Sequence, residues 1–106
     1  MAKEPPISRR LKELRTEAGL SQKKLGILAG IDEFSASARV NQYEKSKHVP
    51  DFSTLQRFAK VLKAPVCYFY AEEDDMAEMI RLFGNLSSEK RAKAIKEFKQ
   101  LITTAN

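Results

Sequence analysis

The chain has 106 residues, with 19 Lys and Arg against 14 Asp and Glu, a formal charge of +5 and 42% apolar residues. That length holds one compact domain with a small appendage and leaves no room for a separate sensor or protease beside a binding module. The single Cys67 and single His48 exclude an intramolecular disulfide and a four-ligand zinc site built from Cys and His alone. Residues 1–70 hold 13 Lys/Arg and 7 Asp/Glu, whereas residues 71–106 hold 6 and 7, so the basic surface belongs to the first two thirds. Such a surface suits a polyanion, because neutralised phosphates release their condensed counterions. Apolar runs are only a few residues long, and Met1 to Glu4 lead into Pro5 and Pro6 rather than into an apolar signal segment. The expectation is a soluble, cytoplasmic chain with no membrane contact.

Ile7, Leu11, Leu14 and Ala18 recur at helical spacing, with Ser8 as the expected N-cap and Gly19 as the stop. Ser21 caps a second helix that buries Leu25, Leu28 and Ala29 and ends at Gly30, where a left-handed residue is wanted. With so short a link the two helices must turn sharply. Asp32, Ser35 and Ser37 are candidate caps for a third helix through Val40 and Tyr43 to about Ser46, and Ser35 is preferred. Residues 45–50 read as a basic loop, because Pro50 disfavours helix immediately before it. Ser53 opens a fourth helix with Leu55, Phe58, Ala59 and Leu62 inward, and Pro65 begins a short fifth helix through about Tyr70. Tyr68, Phe69 and Tyr70 are expected to close the core, with Cys67 a small buried residue rather than a redox sensor.

The acidic run at 72–75 complements the positive end of a helix dipole, and the spacing and loop glycine of an EF-hand are absent. Met76, Met79, Ile80 and Phe83 then form an apolar stripe that Gly84 ends. Ser87 or Ser88 opens the last helix, with Ala92, Ile95, Phe98 and Ile102 apolar and Lys90, Arg91, Lys93, Lys96 and Lys99 solvated. Neither strand alternation nor an internal repeat competes with an all-α fold, divided as residues 1–70 and 71–106.

One constellation carries chemistry: Arg15, Gly19, Leu20, Ser21, Gln22, Leu25 and Gly30, followed by Val40, Glu44, Lys47 and Pro50. In this order they resemble the helix-turn-helix domain of the phage-repressor and Cro type, the xenobiotic-response-element family, over about Ile7 to Tyr70. The resemblance implies a five-helix repressor-like domain, here followed by two C-terminal helices, whose third helix enters the major groove. It implies a bacterial or phage transcriptional regulator specific for double-stranded DNA, more often a repressor, bound as a homodimer to a palindromic operator. By position, Gln22 bonds a phosphate and braces the recognition helix. Ser37, Ala38 and Gln42 read base edges, and Arg39 and Asn41 reach bases or phosphate. Lys23, Lys45, Lys47 and His48 clamp the backbone, and Arg15 pairs with Glu44. The residue types suit those roles: Gln or Asn matches adenine, Arg matches guanine, small residues leave space for thymine methyls, and lysines fix register without reading sequence. One departure stands out, since ten steps separate Gly30 from Val40 where the family has about six. The additional residues either lengthen the turn through 32–34 or add a turn to the front of the recognition helix.

A lone histidine without an orienting motif, and no glycine-rich phosphate loop, argue against an enzyme, and no cofactor or metal is expected. The last two helices, through Met79, Phe83, Leu86, Ile95 and Phe98, are either a dimer surface or a packing layer on the same domain. The alternative function is that of an antitoxin or coactivator, gripping a protein partner through those helices.

Overall fold

The computed structural model describes residues 5–105; residues 1–4 and 106 lie outside it, and with them the reading made of the N-terminus. Among the described residues there are six α-helices, one 3-10 helix and no strand. These are α1 (Pro6–Glu17), α2 (Gln22–Leu28), α3 (Ala36–Glu44), α4 (Phe52–Leu62), the 3-10 helix Val66–Tyr70, α5 (Asp74–Gly84) and α6 (Ser88–Ala105).

The turns follow from local chemistry. Gly19 and Gly30 have positive φ, +71° and +87°. Each closes its helix in the same way: Leu20 N–H reaches Arg15 O at 3.1 Å, and Ile31 N–H reaches Gly26 O at 2.9 Å. Ser21 caps α2 by accepting from Lys24 N–H at 3.0 Å. Ser8, by contrast, is not the cap of α1. The helix begins at Pro6, whose fixed φ and missing N–H suit a first position. Ser8 is instead buried, donating to Tyr43 O at 2.8 Å and sharing a 2.6 Å hydrogen bond with Ser46 Oγ. Likewise Asp51, not Ser53, caps α4, accepting from Thr54 N–H at 2.8 Å, because its carboxylate lies immediately before the first helical residue.

Leu28 is exposed rather than buried, and Gly26 takes the inward position of α2. A Cβ at residue 26 would stand 2.7 Å from that of Ala36, so α2 and α3 approach at a distance only glycine allows. The residues between them settle in the turn, not in the helix. Asp32 Oδ2 accepts from Phe34 N–H at 3.1 Å and Asp32 O accepts from Ser35 N–H at 3.0 Å, and α3 starts only at Ala36.

Leu11, Leu25, Val40, Leu55, Phe58 and Phe69 form the fully buried centre, with Tyr43 edge-on to Phe58 at 6.0 Å between centroids. The expected fifth helix is the 3-10 segment, with Pro65 preceding it. Its three-residue turn explains why Cys67 and Tyr70 are both exposed while Tyr68 and Phe69 are buried: residues three apart share a face.

The start of α5 is fastened to α1 by a residue whose role has no sequence signature. Arg10, 1% exposed, donates from Nε to Ala71 O at 2.9 Å and from Nη2 to Asp74 Oδ1 at 3.0 Å. Arg9 reaches the same carboxylate oxygen at 3.1 Å, and Arg81 on α5 reaches Glu17 at 2.9 Å. With these ties Ala77 turns inward, and the expected stripe is split: Ile80 packs against the core and Phe83 is half-buried, while Met76 and Met79 are exposed. Gly84 is the last residue of α5, and Asn85 closes it. Beyond Ser87, which accepts from Lys90 N–H at 3.2 Å, α6 leaves the body. None of its described side chains is buried, and Ala94 alone is half-buried. The Cα radius of gyration, 16.2 Å, accordingly exceeds the roughly 13 Å of a compact chain of this length.

Candidate nucleic-acid interface

Three helices are locked together at one point. Arg15, near the end of α1, donates from Nε to Glu44 Oε2 at 2.5 Å and from Nη2 to Glu44 Oε1 at 3.0 Å. Its Nη1 donates to Leu20 O at 2.8 Å. Gln22, the first residue of α2, donates from Nε2 to Glu44 Oε1 at 3.1 Å and to Asn41 Oδ1 at 3.2 Å. The Glu44 side chain is 3% exposed, so this carboxylate is almost wholly out of water and is satisfied by the two partners. Hydrogen bonding to Glu44 raises the Arg15 pKa, outweighing the opposing effect of burial. The bracket fixes α3 relative to α1 and α2.

So held, α3 turns Ala36, Val40 and Tyr43 into the core and Ser37, Ala38 and Arg39 into solvent. Arg39 donates from Nη2 to Tyr43 Oη at 2.9 Å, with its guanidinium 6.0 Å from the centroid of that ring. Gln42 is half-buried, as is Asn41. Asn41 is therefore drawn toward α2 by Gln22, while Ser37 and Ala38 occupy the open face.

The chain leaves α3 through a left-handed residue, Ser46, with φ 60°. The N–H groups of Lys47 and His48 return to Gln42 O at 2.9 and 3.4 Å, which pins the loop against the end of the helix. Lys45, Lys47 and His48 are all exposed on it. Lys23, on α2, lies 3.9 Å from Glu33. The open face of Ser37, Ala38 and Arg39 thus lies along the first half of α3 and the basic loop follows its C-terminal end, where Arg15 and Gln22 hold Glu44.

Two further residues shape this surface. Arg57 on α4 donates to Ala29 O at 2.9 Å, to Ser53 Oγ at 2.8 Å and to Thr54 Oγ1 at 3.2 Å, holding α4 to the C-terminal end of α2. A backbone carbonyl as partner leaves no pattern in a sequence. The other is Phe34, whose exposure is visible only in the fold. Among the described residues no group of three or more His, Cys, Asp or Glu is placed to hold a metal ion. No helix among the described residues is long and apolar enough to cross a membrane.

A seven-residue helix packed on a nine-residue helix across the turn of residues 29–35, the second with an open face and a basic loop after it, defines a helix-turn-helix DNA-binding fold. Comparison with known proteins agrees: the family described as a helix-turn-helix domain matches residues 6–67, and the chain belongs to it. Among solved structures, the crystal structure of transcriptional regulator BswR is similar, with a TM-score of 0.84 and 43% sequence identity. That match covers 93% of this chain and 98% of the other, a share that takes in α5 and most of α6 as well as the DNA-binding fold. No curated protein matches the chain.

Proposed function

We propose that the protein is a cytoplasmic transcription regulator, a repressor, that binds a palindromic operator as a homodimer. The observation that carries the reading is that α3, held by the Arg15–Glu44–Gln22 bracket, has an open face and runs into the exposed basic loop of Lys45, Lys47 and His48. In the docking geometry of this fold the face enters the major groove and the loop meets the sugar-phosphate backbone. Ser37, Ala38 and Gln42 read base edges, with Arg39 and Asn41 at the sides of the contact. Gln22 and Lys23 meet phosphate from the start of α2. Residues 1–70 form the DNA-binding unit and residues 71–106 the association unit. A second copy supplies the second recognition helix, because one such helix makes too few base contacts for operator-grade affinity. The protein acts by binding and not by turnover.

The test is a fluorescence-anisotropy titration of the protein's own upstream DNA against scrambled DNA, at near-physiological salt and again at higher salt. A preference of ~10³-fold that weakens with salt is expected. Gln42→Ala should lose about 1–3 kcal/mol at one base pair only, whereas Lys47→Ala should weaken all sequences and flatten the salt slope by about one. Equal, weak binding to both DNAs would overturn the reading and favour an antitoxin or coactivator that uses α5 and α6 on a protein partner.

A further inference from the structure

We propose that Phe34 is a base-reading residue that covers thymine C5-methyl groups in the major groove at the leading end of α3; this rests on the DNA-binding reading above. Phe34 is 93% exposed, an unusual state for a phenyl ring. It is not exposed because its loop is loose. Asp32 bonds the Phe34 N–H through its side chain and the Ser35 N–H through its carbonyl. The turn is anchored on both sides by buried residues, Ile31 before it and Ala36, fully buried against Gly26, after it. The backbone that carries the ring is therefore held in a fixed place.

That place is where this fold puts base contacts, the N-terminal end of the recognition helix. Phe34 lies two residues before the first residue of α3, in the turn that leads into it, and so stands ahead of Ala38 and Gln42 at that end of the helix. The two carboxylates beside it are both engaged within the protein, Asp32 in its own turn and Glu33 toward Lys23 at 3.9 Å. This leaves the ring as the projecting group. On the major-groove edges of the bases the thymine methyl is the apolar feature, and a phenyl ring covering it loses water without leaving any hydrogen-bonding group unpaired. The longer turn between α2 and α3 thus adds an apolar reader ahead of the polar ones.

The experiment uses the full chain and duplexes that the wild type enriches from a random-sequence pool. Each thymine of the enriched site is then replaced by deoxyuridine, which removes the C5 methyl and nothing else. At one thymine in each half-site the replacement should weaken the wild type by about 5- to 10-fold. Phe34→Ala should bind the unmodified duplex weaker by a similar factor, show no further loss with deoxyuridine at that position, and keep wild-type affinity for random DNA and a wild-type melting temperature. If Phe34→Ala binds the enriched duplex as tightly as the wild type, the proposal fails. It fails also if the variant keeps the full deoxyuridine penalty, which would give the methyl contact to another residue such as Ala38. Absence of any enriched sequence would overturn it together with the regulator reading.

Discussion

Helices α3 and α6 are both amphipathic, and each turns one face to water, but the faces are opposite in kind. On α3 the apolar residues Ala36, Val40 and Tyr43 are buried, and Ser37, Ala38 and Arg39 are exposed. On α6 the residues in water include Ile95, Phe98 and Leu101, and no described side chain of that helix is buried. A helix whose apolar stripe is already covered is a finished part of a domain, and its outer face is free to meet a polar ligand. A helix about 27 Å long with its stripe in water is unfinished until a second apolar surface covers it. The difference matches the two tasks of the dimeric regulator proposed above, reading in one region and association in the other.

The largest expected effect falls on the finished region. Glu44→Ala removes the carboxylate that satisfies Arg15 and Gln22 and leaves a guanidinium, 13% exposed, without its counter-charge. The fold should lose about 2–4 kcal/mol, seen without DNA as a melting temperature lower by roughly 10–20 °C. Unchanged melting would mean that the bracket does not hold α3, and the contrast with α6 would lose its basis.

That contrast was legible in part before the fold was known, and the boundary is physical. Gly19, Gly30 and Ser21 were readable because a positive φ or a capped N–H is decided by chemistry within a few residues. The inward stripes of α1 and α4, Leu11 and Leu14, then Leu55 and Phe58, were readable because their periodicity is local too. Leu28 and Cys67, expected inside, are exposed, since the side of a short helix that faces the body depends on what lies across from it. Gly26 against Ala36 and the 3-10 geometry after Pro65 decide those sides. At the candidate interface the Arg15–Glu44 pair was legible, and the bond from Gln22 to Asn41 was not, because it needs the α2–α3 distance.

A second prediction addresses the unfinished region. Phe98→Glu places a charge in the exposed stripe of α6, and the dissociation constant of the dimer should rise by ~100-fold or more, measured by sedimentation. Stability of the monomer should stay within about 0.5 kcal/mol, since the substituted position is exposed. The melting temperature of the wild type should therefore rise with protein concentration, and that of the variant should not. A variant that melts lower at concentrations where the wild type is already monomeric would instead place the stripe against its own body.

The smallest effect is expected at the junction of the two regions, where Arg9 and Arg10 hold Asp74. Hydrogen bonds from Arg9, then from Arg10, lower the Asp74 pKa from its ordinary 3.8. A carboxylate whose folded pKa is depressed contributes stability that is present above its unfolded value and is lost as pH falls through the folded one. Asp74→Asn should therefore be less stable than the wild type near neutral pH, and the two should converge as acid is added below about pH 4. Asp51, whose pKa is lowered by the Thr54 backbone N–H and then by the Thr54 side chain, titrates in both proteins and cancels from the comparison. Arg10 keeps its bonds to the carbonyls of Ala71 and Glu72 in the variant, so the substitution probes the charge and not the whole junction. Because the Asp74 side chain is 85% exposed, added salt should narrow the gap at neutral pH. Urea denaturation across a pH series gives the answer: a gap that keeps its size from pH 7 to pH 2 would show that α5 is held by backbone bonds and packing alone.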